Sequence, residues 1–398
     1  MDPVISMALL SQSMAGIWRH NLGFTNRVIL IPAAVYLSVV FGGAYSTGRE
    51  VVEFMSKNGP WGGLISLSTI AVTYIILLFL CFELARRYEA YDYRAFFKVL
   101  LGRGWFLYEI LITIGLIVTL AICASATGNI AKEHFGVSIY VGGVAMLLIV
   151  VTLNYFGREV VEKSMVYAVI ALGVLVAYLC FKVFGTYDAE LSKVFSEHSP
   201  ANTTQSVKTG LIYAFTVTGF IPMIIFCGRD LYSINESLIA GVAAGVVAIL
   251  PGIAFHLCFM AFYPEILNLT VPTYLIIEQA TSSMFLNFYV VVVFVLIALT
   301  GVGLLQGVLE RIDNRMQESR GRALSATNHA LISAFALIAS SGLATIGLVD
   351  LIIKGFRFFS ISFTFIFFIP LFTIGIYKII TAPAVGLTEN GRSTTSNQ

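Results

Sequence analysis

The chain has 398 residues, of which 58% are hydrophobic and 12% are charged, and its formal net charge is +2. An ordinary soluble domain has about 45–50% apolar and about 25% charged residues. This composition excludes a soluble globular domain and indicates an integral membrane protein whose constant partner is the lipid bilayer. The near-zero net charge gives no reason to expect nucleic-acid binding. The five cysteines lie in or beside apolar runs without a CxxC pair, so neither a disulfide framework nor a metal site is predicted.

Ten apolar runs are each long enough to cross a hydrocarbon core of about 30 Å, which predicts an all-α membrane protein. The predicted spans are 28–56, 62–84, 105–131, 138–156, 160–184, 208–228, 238–262, 284–309, 329–347 and 357–378. Residues 1–27 form a predicted cytoplasmic segment, 28–378 the ten-helix domain and 379–398 a disordered polar tail. Short helices are predicted within the connectors 85–104 and 267–280.

The first span is interrupted near its middle by small and polar residues. They are Gly43, Ala44, Tyr45, Ser46, Thr47 and Gly48. An unpaired backbone group inside a bilayer costs several kcal/mol, so such a break is tolerated where it lines a cavity or binds something. Freed carbonyl groups suit a cation, and the N–H groups that open the next half-helix suit a carboxylate. We predict substrate binding here; close helix packing through small residues is the alternative.

Three charged residues follow the break directly, namely Arg49, Glu50 and Glu53. The two glutamates are three positions apart, which places them on one face of the second half-helix. Near the outer surface these residues are predicted to form a gate or an ion pair. A solvated helix end is the alternative.

The sixth span contains a second break. Its predicted substrate-binding residues are Phe215, Thr216, Thr218, Gly219 and Phe220, followed by Pro222. A simple proline kink is the alternative. The two breaks lie about half a chain apart, and paired breaks of this kind point to a transporter's binding site. Five spans in each half make the repeats inverted in the membrane, with repeat one at about 28–184 and repeat two at about 208–378.

Two further polar residues are candidates for ion coupling, together with the backbone of Ala44 in the break. Thr300 offers a hydroxyl to a cation, although a membrane threonine commonly bonds its own helix backbone. If Lys163 is buried, it either carries a proton or replaces a cation. The alternative is that its side chain extends to the membrane surface. His256 is interpreted as a histidine that bridges two helices.

The segment from Phe41 to Gly63, FGGAYSTGREVVEFMSKNGPWGG, resembles the glycine-rich first span of the YkvI-type bacterial membrane proteins. The likeness covers all ten spans and is also strong at Leu299–Ile312 and Gly347–Phe356. That group looks like a branch of the amino acid–polyamine–organocation superfamily, which shares the LeuT-type fold. The resemblance implies ten helices in a five-plus-five inverted repeat, with helices one and six broken.

The same resemblance implies how a solute and an ion are held. Amino acid transporters of the superfamily bind the substrate carboxylate at the first break, here Ala44 to Gly48. Many have a sodium site that uses paired hydroxyls in span eight, where this chain has Thr300 followed by Gly301. Some proton-coupled members place a lysine in span five, which Lys163 could match. Both H⁺ and Na⁺ therefore stay open as coupling ions.

Basic residues in the loops predict the orientation, because 16 of the 24 Lys and Arg fall on one side if the N-terminus is inside. This places both termini in the cytoplasm, in a bacterial inner membrane. We expect a secondary active transporter of a small solute, an amino acid or related amine, working by alternating access. A non-transporting solute sensor and a channel are the alternatives. No nucleophile set, metal set or phosphate-binding loop is present, so neither an enzyme nor a cofactor is expected, with Na⁺ a candidate coupling ion only. The oligomeric state is left open.

Overall fold

The computed structural model describes residues 23–40, 43–155, 158–198, 202–320 and 326–381. Every regular element within these ranges is helical. Most of the predicted N-terminal segment and nearly all of the predicted tail lie outside the described residues.

The first five predicted spans each coincide with a helix or a broken pair. In chain order, α1 to α7 are Thr25–Val40, Arg49–Phe54, Gly59–Tyr88, Tyr93–Leu101, Phe106–Phe135, Ile139–Tyr155 and Arg158–Thr186. The broken first span consists of α1 and α2, and α4 is the short helix predicted between spans two and three. The Asp92 carboxylate starts α4 by accepting hydrogen bonds from the backbone N–H groups of Arg94 and Ala95, both at 2.9 Å.

The second half of the chain follows the same pattern. Elements α8 to α16 are Asp188–Glu197, Thr203–Thr218, Ile221–Ile224, Ile234–Met260, Pro272–Ala280, Ser283–Arg320, Ala326–Ala344, Leu348–Phe363 and Ile376–Thr381. The broken sixth span consists of α9 and α10, and α12 is the short helix predicted in the 267–280 connector. Six described segments are long and apolar enough to cross a membrane, or seven if Ile170–Thr186 and Asp188–Glu197, bent by 79°, form one span.

The helices pack in two groups. In the first, α3 lies against α9 and α11, and α11 also packs on the first span. Glycine permits these close approaches: a Cβ atom on Gly210 would lie 2.8 Å from the Ser66 carbonyl oxygen, and one on Gly241 would lie 2.9 Å from the Phe79 backbone nitrogen. In the second group, α5 packs against α6, α13 and α14. The first break lies where the groups meet, in contact with α5 and α13.

Candidate functional site

The first break is a short 3₁₀ turn, Gly43–Thr47, followed by Gly48 in the left-handed region at φ +76°. A Cβ atom on Gly48 would lie 2.4 Å from Cζ of Phe259 and 2.9 Å from Cγ2 of Thr273. Glycine is therefore required twice here, by the backbone conformation and by the space. The predicted break is confirmed, and α2 begins immediately after it.

The carbonyl groups freed by the break are engaged by side-chain hydroxyls from distant segments. The Thr273 hydroxyl lies 3.1 Å from the Ser46 carbonyl oxygen and 3.0 Å from that of Thr47. The Tyr289 hydroxyl lies 2.5 Å from the Ser46 carbonyl oxygen and 2.7 Å from Thr273 Oγ1. Ser46, Thr47 and Thr273 are fully buried. Four oxygen atoms thus form one compact polar cluster in the interior, which the first span alone does not build.

The Tyr45 ring contacts residues of α9 and α11. Its ring lies 6.5 Å from that of Tyr213 and 6.0 Å from that of Phe255, measured between centroids. A Cβ atom on Gly252 would lie 2.8 Å from the Tyr45 hydroxyl. Tyr45 therefore packs the break against its neighbouring helices.

The predicted gate residues separate into two environments. Arg49 donates to the carbonyl oxygens of Leu267 and Leu269 at 3.0 and 2.7 Å, and to the Glu53 carboxylate at 2.8 Å. Lys57 also pairs with Glu53, at 2.6 Å. Arg49 thereby fastens α2 to the connector that leads into α12.

Glu50 does not join this ion-pair group, although it is three residues from Glu53. Its carboxylate accepts a hydrogen bond from the Tyr213 hydroxyl of α9 at 3.2 Å, and the residue is buried. The reason is local: Glu53 has a cation four residues before it and another four residues after it, whereas Glu50 has Ser46 and Phe54 at those positions.

The second break, after Thr218, is braced by two other helices. The Tyr108 hydroxyl of α5 donates to the Gly219 carbonyl oxygen at 3.0 Å. A Cβ atom on Gly219 would lie 2.1 Å from Cδ2 of Phe363 on α15. Phe220 meets the Phe363 ring edge-on at 5.8 Å, and Phe215 packs on Phe368 at 4.6 Å. Phe215 and Phe220 thus both contact the tenth span.

The two predicted threonines of the sixth span use their hydroxyls within the protein. Thr216 Oγ1 lies 2.9 Å from the Ile212 carbonyl oxygen and 2.7 Å from that of Phe356. Thr218 Oγ1 donates to the Ala214 carbonyl oxygen at 2.6 Å. Thr216 therefore links α9 to α15, whereas Thr218 bonds only its own helix among the described contacts.

Of the candidate ion-coupling residues, the structure describes the side chain of Thr300. The Thr300 hydroxyl donates to the carbonyl oxygen of Leu296, one turn earlier in α13, at 2.9 Å. Tyr289 of α13, which bonds the break, lies eleven residues earlier and so about 16 Å away along the helix axis. The side chains of Lys163 and Ala44 lie outside the described residues.

The interpretation of His256 as a bridge between helices is confirmed. One ring nitrogen, Nε2, lies 3.0 Å from the Pro60 carbonyl oxygen, and the other, Nδ1, lies 3.0 Å from the Ser56 hydroxyl. A carbonyl oxygen accepts only, so Nε2 carries the hydrogen and Nδ1 of the neutral ring accepts from Ser56. The ring is fully buried against Gly63, where a Cβ atom would lie 2.1 Å from it.

Sequence reasoning missed Thr273 and Tyr289, the two residues that engage the break. A signal existed for each. Thr273 directly follows Pro272 at the start of a helix in a connector. Because this helix does not continue a membrane span, a hydroxyl here suggests another use. Tyr289 carries a hydroxyl at the start of the apolar run 288–299. Neither signal identifies its partner, which is more than 220 residues away.

No protein-family model and no curated protein sequence matches this chain. Solved structures do match. A Na⁺-coupled sialic acid symporter in a substrate-bound, outward-open state is 12% identical with a TM-score of 0.59, over 87% of this chain and 79% of that one. A manganese transporter from Eremococcus coleocola is 11% identical with a TM-score of 0.54, over 93% and 82%.

The inward-facing conformation of Mhp1 is 14% identical with a TM-score of 0.50, over 87% of this chain and 75% of that one. At such low identity these likenesses show the fold alone. The chain therefore has the LeuT-type, all-α membrane fold predicted from its sequence.

Proposed function

We propose that the chain is a secondary active transporter that moves a small solute across the membrane by alternating access. The observation that carries this proposal is the first break: a buried, left-handed Gly48 opens the backbone at the meeting point of two helix groups. Broken helices at such a position are the usual means by which transporters of this architecture build a solute site. The transporters named above share the fold, which supports the proposal.

For the solute we propose an amino acid or a related amine. Gly43, Ala44, Tyr45, Ser46, Thr47 and Gly48 are proposed to hold its polar head. Phe215, Thr216, Thr218, Gly219 and Phe220 are proposed to shape the pocket for the rest of the molecule. The likeness of the Phe41–Gly63 segment to the YkvI-type proteins supports membership of that group.

We also propose a gate, a coupling ion, a membrane location and a division into two repeats. Arg49, Glu50 and Glu53 act at a gate on the outer side, and H⁺ or Na⁺ is the coupling ion. The chain lies in a bacterial inner membrane with both termini in the cytoplasm. Repeat one spans about 28–184 and repeat two about 208–378, and the paired breaks in α1–α2 and α9–α10 support this division.

A thermal-stability screen of the purified chain against amino acids, amines and small carboxylates tests the solute class. A ligand that binds the folded state at a hundredfold excess over Kd stabilises it by about 2.7 kcal/mol. The stabilisation should be reduced in Thr216→Val, because Thr216 fastens the second break to α15. It should persist in Thr373→Val, whose exposed hydroxyl bonds the carbonyl group four residues earlier in the same way. No stabilisation by any compound would contradict the proposed class.

A solute sensor on the same fold is the second candidate. Proteoliposomes that contain the purified chain and a solute that it binds distinguish the transporter from the sensor. A transporter exchanges labelled solute across the bilayer, whereas a sensor binds it without exchange.

A further inference from the structure

Glu50 is a buried carboxylate whose hydrogen-bond partner is a neutral hydroxyl. The residue is 8% exposed, and its carboxylate accepts from Tyr213 at 3.2 Å. No ion pair in the described part of the chain includes it. Arg49, the adjacent cation, is directed to connector carbonyl groups and to Glu53.

Among the described residues, the other buried carboxylate, Glu83, has cation partners, which distinguishes it from Glu50. Glu83, fully buried, pairs with Arg86 at 2.6 Å and with Arg87 at 2.7 Å. Glu236 pairs with Arg27 at 2.7 Å. An ionised carboxylate without a cation costs several kcal/mol in an apolar interior, and a bound proton removes that cost.

We propose that Glu50 is the site at which this protein binds a coupling proton, with Tyr213 as its hydrogen-bond partner. The inference rests on the proposed transport function and names its coupling ion and the residue that carries it. It assigns to Glu50 a role different from that of Glu53, which is held between two cations.

The titratable groups that interact electrostatically with the Glu50 carboxylate are neutral hydroxyls and a thiol. They are Tyr45 of the break, Tyr74 of α3, Cys123 of α5 and Tyr213 of α9. The charged and titratable groups on the other elements packed against α2 are engaged elsewhere or exposed. They are His256 on Ser56 and Pro60, Lys57 on Glu53, Glu236 on Arg27, Lys354 on Asp350, and exposed Lys208, Glu265 and Arg357. A proton is thus the available means of neutralising Glu50 within this set.

Two further buried tyrosine hydroxyls lie near each other, one on α1 and one on α3. Tyr74 meets Tyr36 of α1 edge-to-face, with ring centroids 5.2 Å apart. Both hydroxyls are buried and have no partner in hydrogen-bonding geometry among the described residues. Buried polar groups normally have such a partner. Tyr213, Tyr74 and Tyr36 are thus three buried tyrosines, on α9, α3 and α1.

The position of Glu50 connects its proton to the conformational change. The hydrogen bond from Tyr213 joins α2, the second half of span one, to α9, the first half of span six. With a proton bound, this contact stays buried at low cost. After the proton leaves, the carboxylate is stabilised only if water reaches it, which requires α2 and α9 to separate. Proton release therefore favours the conformation in which this interface is open.

Infrared difference spectroscopy of the full chain in liposomes tests proton binding directly. Spectra are compared between about pH 5 and pH 9, the range in which buried carboxyl groups can titrate. The difference spectrum of the native protein should contain a protonated carboxylic-acid band. Glu50→Gln, which keeps the shape and an acceptor for Tyr213, should lose that band. Glu53→Gln should keep it, because Glu53 is paired with cations. A band that persists in Glu50→Gln, or no band in the native protein, would overturn the inference.

A transport assay provides the second test, with labelled amino acids as the solute and a pH dye inside the vesicles. A gradient of one pH unit sustains at most about a tenfold accumulation in one-to-one symport, since both equal about 1.4 kcal/mol. Glu50→Gln should exchange solute and lose this accumulation, whereas Glu190→Gln, exposed on α8, should keep it. Accumulation driven by Na⁺ and not by pH would overturn the inference and leave transport intact. If the infrared band of Glu50 is present but no solute is exchanged, proton binding by Glu50 is supported and the transport proposal is contradicted.

Discussion

The Tyr289 hydroxyl lies 2.5 Å from the Ser46 carbonyl oxygen, across 243 positions of the chain. This contact joins the second turn of α13, in span eight, to the break in span one. If the two helix groups move against each other during transport, this hydrogen bond is among the contacts that the motion changes.

Tyr289→Phe should destabilise the protein by about 1–3 kcal/mol, because it removes the hydroxyl that engages a buried carbonyl group. Thermal unfolding in detergent measures the change. Tyr178→Phe is the matched control, since the Tyr178 ring is 39% exposed and packs on Phe285. Equal effects of the two substitutions would contradict a specific role for the Tyr289 hydroxyl.

Gly48→Ala should be more destabilising than Gly136→Ala. Both glycines have positive φ, at +76° and +66°, so both substitutions carry a backbone strain of about 1–2 kcal/mol. Only at Gly48 does the new Cβ atom overlap a ring, that of Phe259, which adds about 1–3 kcal/mol of overpacking. Thermal unfolding of the two variants measures the difference. The added variant Phe259→Leu should recover part of the loss at Gly48, and failure to recover any would show that the overlap is relieved in another way.

Arg49→Gln should loosen the connector that leads into α12, because it removes the donors to the Leu267 and Leu269 carbonyl groups. A cysteine placed at buried Val271 should then react several-fold faster with a membrane-impermeant maleimide. Lys57→Gln serves as the control, since Lys57 also pairs with Glu53 and, among the described contacts, does not bond the connector. If the cysteine at position 271 is labelled at the same rate in the otherwise native chain, in Arg49→Gln and in Lys57→Gln, then Arg49 does not hold the connector.

Arg27 and Glu236 should stabilise each other measurably. Two hydrogen bonds of 2.7 and 2.8 Å join them, and Arg27 also donates to the Asp230 carbonyl oxygen at 2.7 Å. Hydrogen bonds to charged groups contribute about 1.5–3 kcal/mol, so Arg27→Gln should cost about this much. A double-mutant cycle with Glu236→Gln separates the pair from the contact with Asp230. Fully additive effects of the two substitutions would mean that the pair contributes nothing.

Local sequence was sufficient for the helices and for both breaks. An apolar run of about 20 residues in a bilayer has few alternatives to a helix, because the backbone must satisfy its own hydrogen bonds. The glycines around Tyr45 and the Gly219–Pro222 segment therefore indicated where the helices are interrupted. The same reasoning applies to the short helix in the 267–280 connector, where Pro272 occupies the first position.

The partners of the polar residues depended on tertiary structure. Glu50 and Glu53 are three residues apart on one half-helix, yet one contacts Tyr213 of α9 and the other pairs with Arg49 and Lys57. The cations four residues before and after Glu53 account for its pairs, but only the neighbouring helix supplies the Tyr213 hydroxyl that Glu50 meets. Because the contacts of Ser46 and Glu50 come from segments more than 160 residues away, only packing of the two helix groups establishes them.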